Sequence, residues 1–303
     1  METQSEKEKC ILVPTDFSEA CDNALNHALE MAKYLKCKVY ALHVVDSLSK
    51  NYFANDLLQV GNELGMQVDE LNASMKQLKA HIATKNSDIL LPLVKEGDIF
   101  TTINEAALEV NAGMIVLGTH GKIGFQRIVG SYALRVIDST KVPVIIVQKR
   151  SFGSGFREIV FPVNIQDEDR QKAEYAVQMS KLFNSTIHMV PKHVDNPQSK
   201  IKLDVMVKQI ATFFEKYDVK YTIVDVADYG DAWDRQVLNY SSSIDADLIL
   251  ILSNPEKHMM FFEAKEENII FNSAQIPVMC INYRKLKITD FWGGYDPGRK
   301  NVY

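Results

Sequence analysis

The chain has 303 residues, of which 46% are hydrophobic and 24% charged, and its net charge at pH 7 is -5. This composition excludes wholesale disorder, and the acidic balance argues against a general nucleic-acid binder. The four cysteines lack CxxC spacing, which excludes a disulfide scaffold and a zinc ribbon. The polar N-terminus predicts no signal peptide, and no apolar run approaches the roughly 20 residues that span a bilayer. We therefore expect a cytoplasmic protein with neither a membrane nor a nucleic-acid partner.

Short apolar runs alternate with stretches of helical periodicity in the first half of the chain. The run Cys10–Pro14 predicts a first strand, and the apolar residues three and four apart after Ser18 predict a helix capped by this serine. Further strands are predicted at 38–45, 89–94, 114–117 and 142–147, with helices at about 55–84, 99–109 and 132–137. Strands that alternate with helices and read as unbroken apolar runs indicate a parallel sheet covered on both faces.

The same order of elements then begins again. Four matches keep their order along the chain: Pro14 with Pro162, 38–45 with 186–190, Gly97-Asp98 with Gly230-Asp231, and Pro143 with Pro277. We therefore expect a tandem duplication with a first domain at 1–150, a second at 157–284 and a tail at 285–303. The predicted fold class is α/β, with two copies of an open five-stranded parallel-sheet, Rossmann-like domain of strand order 3-2-1-4-5.

A glycine-rich segment, 118–131, follows the predicted fourth strand and ends at a helix start. Glycines allow a backbone to approach a ligand closely, and free amides at a helix N-terminus bind anions such as phosphate. The segment is neither a P-loop nor GxGxxG, so by itself a flexible connector explains it equally well. The expected strand order adds context, because it places Asp16 and Gly118 together where the order of the sheet reverses, and ligands bind there.

These residues resemble the universal stress protein family, and the duplication resembles its tandem two-domain members. The resemblance rests on five motifs: Val13 to Ser18, His43-Val44-Val45, Gly118 to Gly121, Gly130 to Ala133, and Val142-Pro143-Val144. It covers most of 9–148 closely and 157–283 weakly. ATP-binding members carry the fingerprint G-x2-G-x9-G-[ST], and this chain has one residue fewer between Gly121 and Gly130.

The resemblance implies an adenine nucleotide alpha hydrolase-like fold and a site for ATP, with or without magnesium. Asp16 would meet the ribose, and Val44 would read the adenine through its backbone. Four residues would cradle the phosphates: Gly118, Gly121, Gly130 and Ser131. The predicted site is completed by Pro14, Thr15, His120, Lys122 and Tyr132.

The second copy departs from this pattern. Asn164 replaces Asp16, and the four phosphate positions become Leu252, Pro255, Ala264 and Lys265. We therefore expect no nucleotide there. The segment 258–262 is either a helix start that packs on its own domain or an apolar patch at an interface. The aromatic tail is either frayed or docked.

The leading hypothesis is an ATP-binding stress-response protein that acts as a sensor or regulator, with nucleotide in the first domain only. The family resemblance implies that the fifth strands of the two copies pair within the chain as a pseudo-dimer, and a homodimer is also possible. The alternatives are a ligand-free interaction module and a slow ATPase, although the sequence offers no nucleophile with a general base. His188 and His193 lie near each other without an expected carboxylate cluster, so no metal site is predicted.

Overall fold

The computed structural model describes residues 9–45, 57–85, 87–119, 127–165, 169–225, 232–253 and 264–282. Two earlier predictions, on the segment 258–262 and on the tail, lie outside these residues. The described residues form strands and helices that alternate along the chain. The division of the chain into independent domains stays a prediction, and the two parts are called the first half and the second half below.

The first half follows the predicted order of strands and helices. Its elements are β1 (Cys10–Pro14), α1 (Glu19–Leu35), β2 (Val39–Val45), α2 (Leu57–Ala83), β3 (Leu90–Glu96), α3 (Ile99–Glu109), β4 (Ala112–Gly118), α4 (Arg127–Ser139) and β5 (Val144–Val147). The predicted start of α4 at Tyr132 is wrong, because the helix begins at Arg127. Gly130 made the preceding residues resemble a loop, but a glycine costs a helix only about 1 kcal/mol relative to alanine.

The second half repeats this order. Its elements are β6 (Glu158–Val163), α5 (Asp169–Phe183), β7 (Thr186–Pro191), α6 (Pro197–Lys216), β8 (Lys220–Ile223), α7 (Trp233–Ser243), β9 (Leu248–Ser253), α8 (Ala264–Ile270) and β10 (Val278–Asn282). Helix α6 has 20 residues where α2 has 27, so the helix of the second crossover is shorter in the second half.

Side-chain caps set the starts of two helices in the first half. Ser18 accepts a hydrogen bond from the backbone N–H of Cys21 and caps α1. Asp98 accepts one from Thr101 at 3.0 Å and caps α3. Both residues have extended backbone conformations, as N-caps require. The predicted cap at Ser18 and the predicted turn into α3 are confirmed.

All ten strands belong to one sheet with the order β3-β2-β1-β4-β5-β10-β9-β6-β7-β8. Within each half the neighbouring strands are parallel and follow the order 3-2-1-4-5. The predicted fold class is therefore confirmed. Two apolar clusters cover the two faces of this sheet and include residues of both halves.

The halves meet where β5 pairs with β10 in antiparallel orientation. Side-chain amides bracket this pair from both sides. Gln148, after β5, donates to the carbonyl of Asn272 at 3.1 Å. Asn282, at the end of β10, donates to the carbonyls of Ile137 and Thr140. Each half therefore sends one amide to the backbone of the other, which is the reciprocity of a two-fold interface.

All four cysteines are buried and free. Burial raises the pKa of the Cys21 thiol to about 11 and that of Cys37 to about 12. Both thiols stay protonated at neutral pH and are poor nucleophiles. Cys21 and Cys37 therefore act as small buried residues of the first half.

Candidate functional site

The candidate site lies at the carboxyl ends of β1 and β4, which are neighbours in the sheet. Pro14 ends β1 and lies opposite Leu42, and Gly118 ends β4. The connection from β1 runs towards β2 and that from β4 towards β5, so the direction of winding reverses between them. This is the switch point at which open α/β sheets bind ligands.

Thr15 to Ser18 form a tight turn between β1 and α1. The buried Thr15 donates its N–H to the carbonyl of Leu42 at 2.7 Å, and its hydroxyl accepts from the N–H of Phe17. Asp16 accepts from the N–H of Ser18 at 2.9 Å. The turn is thus fixed by its own side chains, and the exposed Asp16 carboxylate is oriented by the turn.

The environment of Asp16 keeps its carboxyl group ionised. Burial favours the neutral form, but hydrogen bonds from Ser18 and Cys21 outweigh it and hold the pKa of Asp16 below its ordinary value. A carboxylate of this kind accepts hydrogen bonds and donates none. It therefore suits a ligand that presents hydroxyl donors.

Phe17 has a backbone φ of 66°, in the left-handed region. For a bulky residue this conformation costs roughly 1–2 kcal/mol, and it persists only where the surroundings impose it. The Phe17 ring lies against two imidazoles, with centroid distances of 4.7 Å to His43 and 5.4 Å to His81. Phe17 and His43 stand in motifs of the sequence that assign them no role of their own. Only the fold brings the end of α2, with His81, to Phe17.

Val44 presents its backbone towards the crevice. The carbonyl of Leu42 accepts a hydrogen bond from Thr15, directly after β1, whereas the carbonyl of Val45 accepts one from Gly97 on the opposite side of β2. Because the polar groups of successive strand residues point to opposite sides, those of Val44 point to the β1 side like those of Leu42. Strand β1 ends at Pro14, opposite Leu42, and so does not reach the level of Val44. The N–H and the carbonyl of Val44 therefore face the switch point as one donor and one acceptor.

Gly118 permits the first turn of α1 to approach the end of β4. A Cβ atom at this position would lie 2.1 Å from the carbonyl oxygen of Ala20 and 2.7 Å from the nitrogen of Cys21. A Cβ atom cannot lie so close to backbone atoms, so only glycine fits here. The predicted phosphate role stays a prediction, and close packing gives a separate reason for this glycine. By strand register, Leu252 takes the same position in the second half.

The start of α4 at Arg127 places Gly130 and Ser131 in the first turns of that helix. The first four amides of a helix have no partner within it, so this end is suited to anions. Tyr132 follows and stacks on Phe100 of α3, with ring centroids 5.2 Å apart and planes 16° apart. Three predicted site residues lie outside the described part of the chain: His120, Gly121 and Lys122.

The histidines of the second half have other partners. His188 donates from Nε2 to the Glu158 carboxylate at 2.5 Å, and its Nδ1 lies 2.7 Å from the hydroxyl of Tyr240. His193 contacts Asp195 at 3.1 Å. His188 and His193 therefore each meet a single carboxylate, because β6 brings Glu158 beside β7 and Asp195 follows His193 closely in the chain. Among the described residues, no group of three or more His, Cys, Asp or Glu could hold a metal ion.

Fold and site together define a duplicated Rossmann-like α/β protein with one polar crevice at the switch point of its first half. Residues 8–148 match the model of the universal stress protein family. Universal stress protein MJ0531 of Methanocaldococcus jannaschii is 35% identical over 143 residues, which are 46% of this chain and 82% of that protein. The chain belongs to the universal stress protein family, whose members act in the stress response.

Two further comparisons differ in how much of this chain they cover. Universal stress protein G of Escherichia coli O157:H7 is 28% identical over 145 residues, which are 46% of this chain and 99% of that protein. A crystal structure of a universal stress protein from Archaeoglobus fulgidus covers 90% of this chain and is itself covered to 98%, with a TM-score of 0.63 and 21% identity. The fold similarity therefore extends over both halves. Among the described helices, none is long and apolar enough to cross a membrane.

Proposed function

We propose that the first half binds an adenine nucleotide, ATP, and that the protein acts as a nucleotide-responsive regulator in the stress response. The observation that carries this proposal is the Asp16 carboxylate, held ionised at the switch point by hydrogen bonds from Ser18 and Cys21. An ionised carboxylate accepts strongly from the two hydroxyls of a ribose. The proposed location is the cytoplasm.

Two other features support an adenine nucleotide over a simple sugar. The backbone of Val44 offers one donor and one acceptor, which match the edge of an adenine. The start of α4 offers amides to phosphates, with Gly130 and Ser131 in its first turns. Pro14, at the end of β1, and Thr15, directly after it, would line the proposed site beside Asp16. His120, Gly121 and Lys122 belong to the proposed phosphate site through the family resemblance, and magnesium would accompany the phosphates.

The second half lacks the chemistry for this ligand at the same places. Asn164 follows β6 where Asp16 follows β1, and Leu252 takes the position of Gly118. An amide is a weaker acceptor than a carboxylate, and a leucine lacks the backbone freedom of a glycine. We propose that this half serves as the partner in a pseudo-dimer joined by β5 and β10.

Mass spectrometry of the small molecules released on denaturation tests the proposal directly. We expect an adenine nucleotide in stoichiometric amount, and a rise in the melting temperature of the emptied protein when ATP and magnesium are added. Asp16→Ala should abolish that rise, whereas Asn164→Ala, the matched change in the second half, should leave it intact. If the purified protein carries no nucleotide and ATP produces no shift, the proposal is wrong.

A further inference from the structure

Phe17 is held by an aromatic clamp, which we define as the rings of Phe17, His43 and His81. His43 comes from β2, and His81 from the last turn of α2. The Phe17 ring is tilted 37° to His43 and stands at 78° to His81, so it meets one imidazole obliquely and the other edge-on. Aromatic pairs at these distances and angles attract each other. The clamp thus joins three elements around one side chain.

Each imidazole of the clamp is itself anchored. Nδ1 of His43 donates to the carbonyl of Thr15 at 2.9 Å, which fixes the proton on that nitrogen because a carbonyl only accepts. Nε2 of His81 donates to the carboxylate of Asp22 at 2.7 Å, and Lys85 lies 3.4 Å from the same oxygen. The rings therefore cannot turn away without losing a hydrogen bond.

The clamp acts on the residue that the proposed function places on the ribose. Thr15 and Phe17 flank Asp16, and both are held by His43, one through its carbonyl and the other through its ring. A left-handed residue next to Asp16 relaxes to ordinary backbone angles when its ring is released. That relaxation would rotate the Asp16 carboxylate away from its present direction.

The second half supplies an internal comparison. By strand register, Asn164 replaces Asp16, Ile165 replaces Phe17 and Pro191 replaces His43. Ile165 is 40% exposed and has no left-handed backbone. The carboxylate, the strained aromatic residue and the anchoring histidine are therefore absent together from this half's counterpart positions. This is expected if the clamp serves the carboxylate and not the fold.

We propose that Phe17, His43 and His81 are positioning residues that aim the Asp16 carboxylate at the ribose hydroxyls and so make the site selective for ribonucleotides. This inference rests on the proposed function. It concerns selectivity, and a residue that only stabilised the fold would not change the ratio between two ligands that differ in their sugar.

The test compares ATP with 2′,3′-dideoxy-ATP by isothermal titration calorimetry on the full chain, first emptied of nucleotide. The wild-type protein should bind ATP at least roughly tenfold more tightly, because the analogue lacks both hydroxyls. Phe17→Gly keeps the left-handed angles accessible but removes the ring. It should lower the affinity for ATP to that for the analogue and leave the affinity for the analogue unchanged.

Three further variants keep this test decisive. Phe17→Tyr retains the ring and should restore the wild-type ratio. Ile165→Gly makes the matched change in the second half and should not alter it. His81→Ala removes one wall of the clamp and should give an intermediate ratio, which decides the matter if Phe17→Gly fails to fold.

The outcomes separate the two proposals. If wild-type protein binds neither ligand, the proposed function is wrong and the clamp has no ribose to select. If it binds both equally, nucleotide binding stands but the ribose selection by Asp16 and its clamp is wrong. If folded Phe17→Gly and His81→Ala keep the wild-type ratio, the clamp does not position Asp16.

Discussion

The carboxyl ends of β1 and β6 occupy the same place in two halves of equal strand order, yet they differ in chemistry. After β1 come the carboxylate of Asp16 and the clamped Phe17, and the turn opens to solvent. At the end of β6 the ammonium of Lys172, a residue only 2% exposed, donates to the carbonyl of Pro162 at 2.5 Å. The same fold therefore exposes a carboxylate at this strand end in one half and buries a lysine at the matching strand end of the other.

The two halves also differ in the polar groups at the amino ends of their first strands, β1 and β6. Glu158, His188 and Tyr240 form a hydrogen-bonded series that begins at the amino end of β6. By strand register the first of these residues corresponds to Cys10, whose thiol donates to a backbone carbonyl. The two halves therefore share their strand order but carry different polar side chains at the amino ends of β1 and β6.

Gly118→Ala should have the largest effect, because it tests the close approach that distinguishes β4 from β9. The added Cβ would lie 2.1 Å from the oxygen of Ala20, so α1 must shift, and we expect a loss of about 3 kcal/mol or more in the free energy of unfolding. Urea denaturation followed by circular dichroism measures this. Gly153→Ala is the control, since no atom lies within 4 Å of its added Cβ and only backbone strain opposes it. Equal losses in the two variants would refute the packing role of Gly118.

Lys172→Ala tests how the second half closes its strand end. Lys36 and Asn184 are the left-handed residues that follow α1 and α5. Lys172 lies as far before Asn184 as the buried Ala24 lies before Lys36, so the two residues correspond. The substitution makes the halves alike here but leaves the Pro162 carbonyl without its lysine donor, and we expect a loss of about 2 kcal/mol. Chemical denaturation measures it. An unchanged unfolding midpoint would mean that the lysine contributes nothing to this end of β6.

The side-chain amides of Gln148 and Asn282 lie on either side of the β5–β10 pair and should contribute about 1–2 kcal/mol each to the free energy of unfolding. Asn282→Leu removes donors to the carbonyls of Ile137 and Thr140, and Gln148→Leu removes the donor to Asn272. We expect Asn282→Leu to be the more costly change, since two carbonyls lose a donor. Hydrogen exchange of the β5 and β10 amides measures the effect locally. If the backbone amides of β5 and β10 keep wild-type protection in both variants, the side-chain amides of Gln148 and Asn282 do not stabilise the pairing of these two strands.

His27 should make the stability of the first half depend on pH. Its ring is fully buried, Nε2 donates to the carbonyl of Arg150, and Nδ1 has no hydrogen-bond partner among the described residues. Burial lowers the pKa of His27 below 6.5, so the unfolded chain binds a proton at a higher pH than the folded chain. Stability is therefore complete above pH 6.5 and falls as the pH decreases from there towards the lowered pKa.

Replacing His27 by Gln tests this prediction. The amide keeps a donor for the Arg150 carbonyl but does not titrate, so we expect a change of under about 1 kcal/mol at pH 7 and a weaker pH dependence below 6.5. Melting temperatures between pH 4 and pH 8 measure it. The counterpart in the second half, by the same offset as Lys36 and Asn184, is Tyr175, and Tyr175→Phe serves as the control. An unchanged pH profile in His27→Gln would assign the dependence to other groups.

The local pattern predicted most of the elements, because strand runs and helix caps depend on neighbours in the chain. The cap at Ser18 and the turn before α3 are examples. Prediction was wrong at the start of α4, where tertiary packing outweighs the weak preference of Gly130 against a helix. For the candidate site, Asp16 and Val44 could be named from motifs after strands. His81 could not, since its distance along the chain from Phe17 says nothing of their contact.

The sequence by itself determined the repeated α/β order and the unequal endings of β1 and β6. These follow from periodicity and from residue types at fixed places along the chain. The tertiary structure alone decided that Gly118 must be glycine, that Glu158 reaches His188 and that two imidazoles clamp Phe17. Each of these is a contact between segments far apart in the chain, and such contacts are fixed by how elements pack and not by the local pattern.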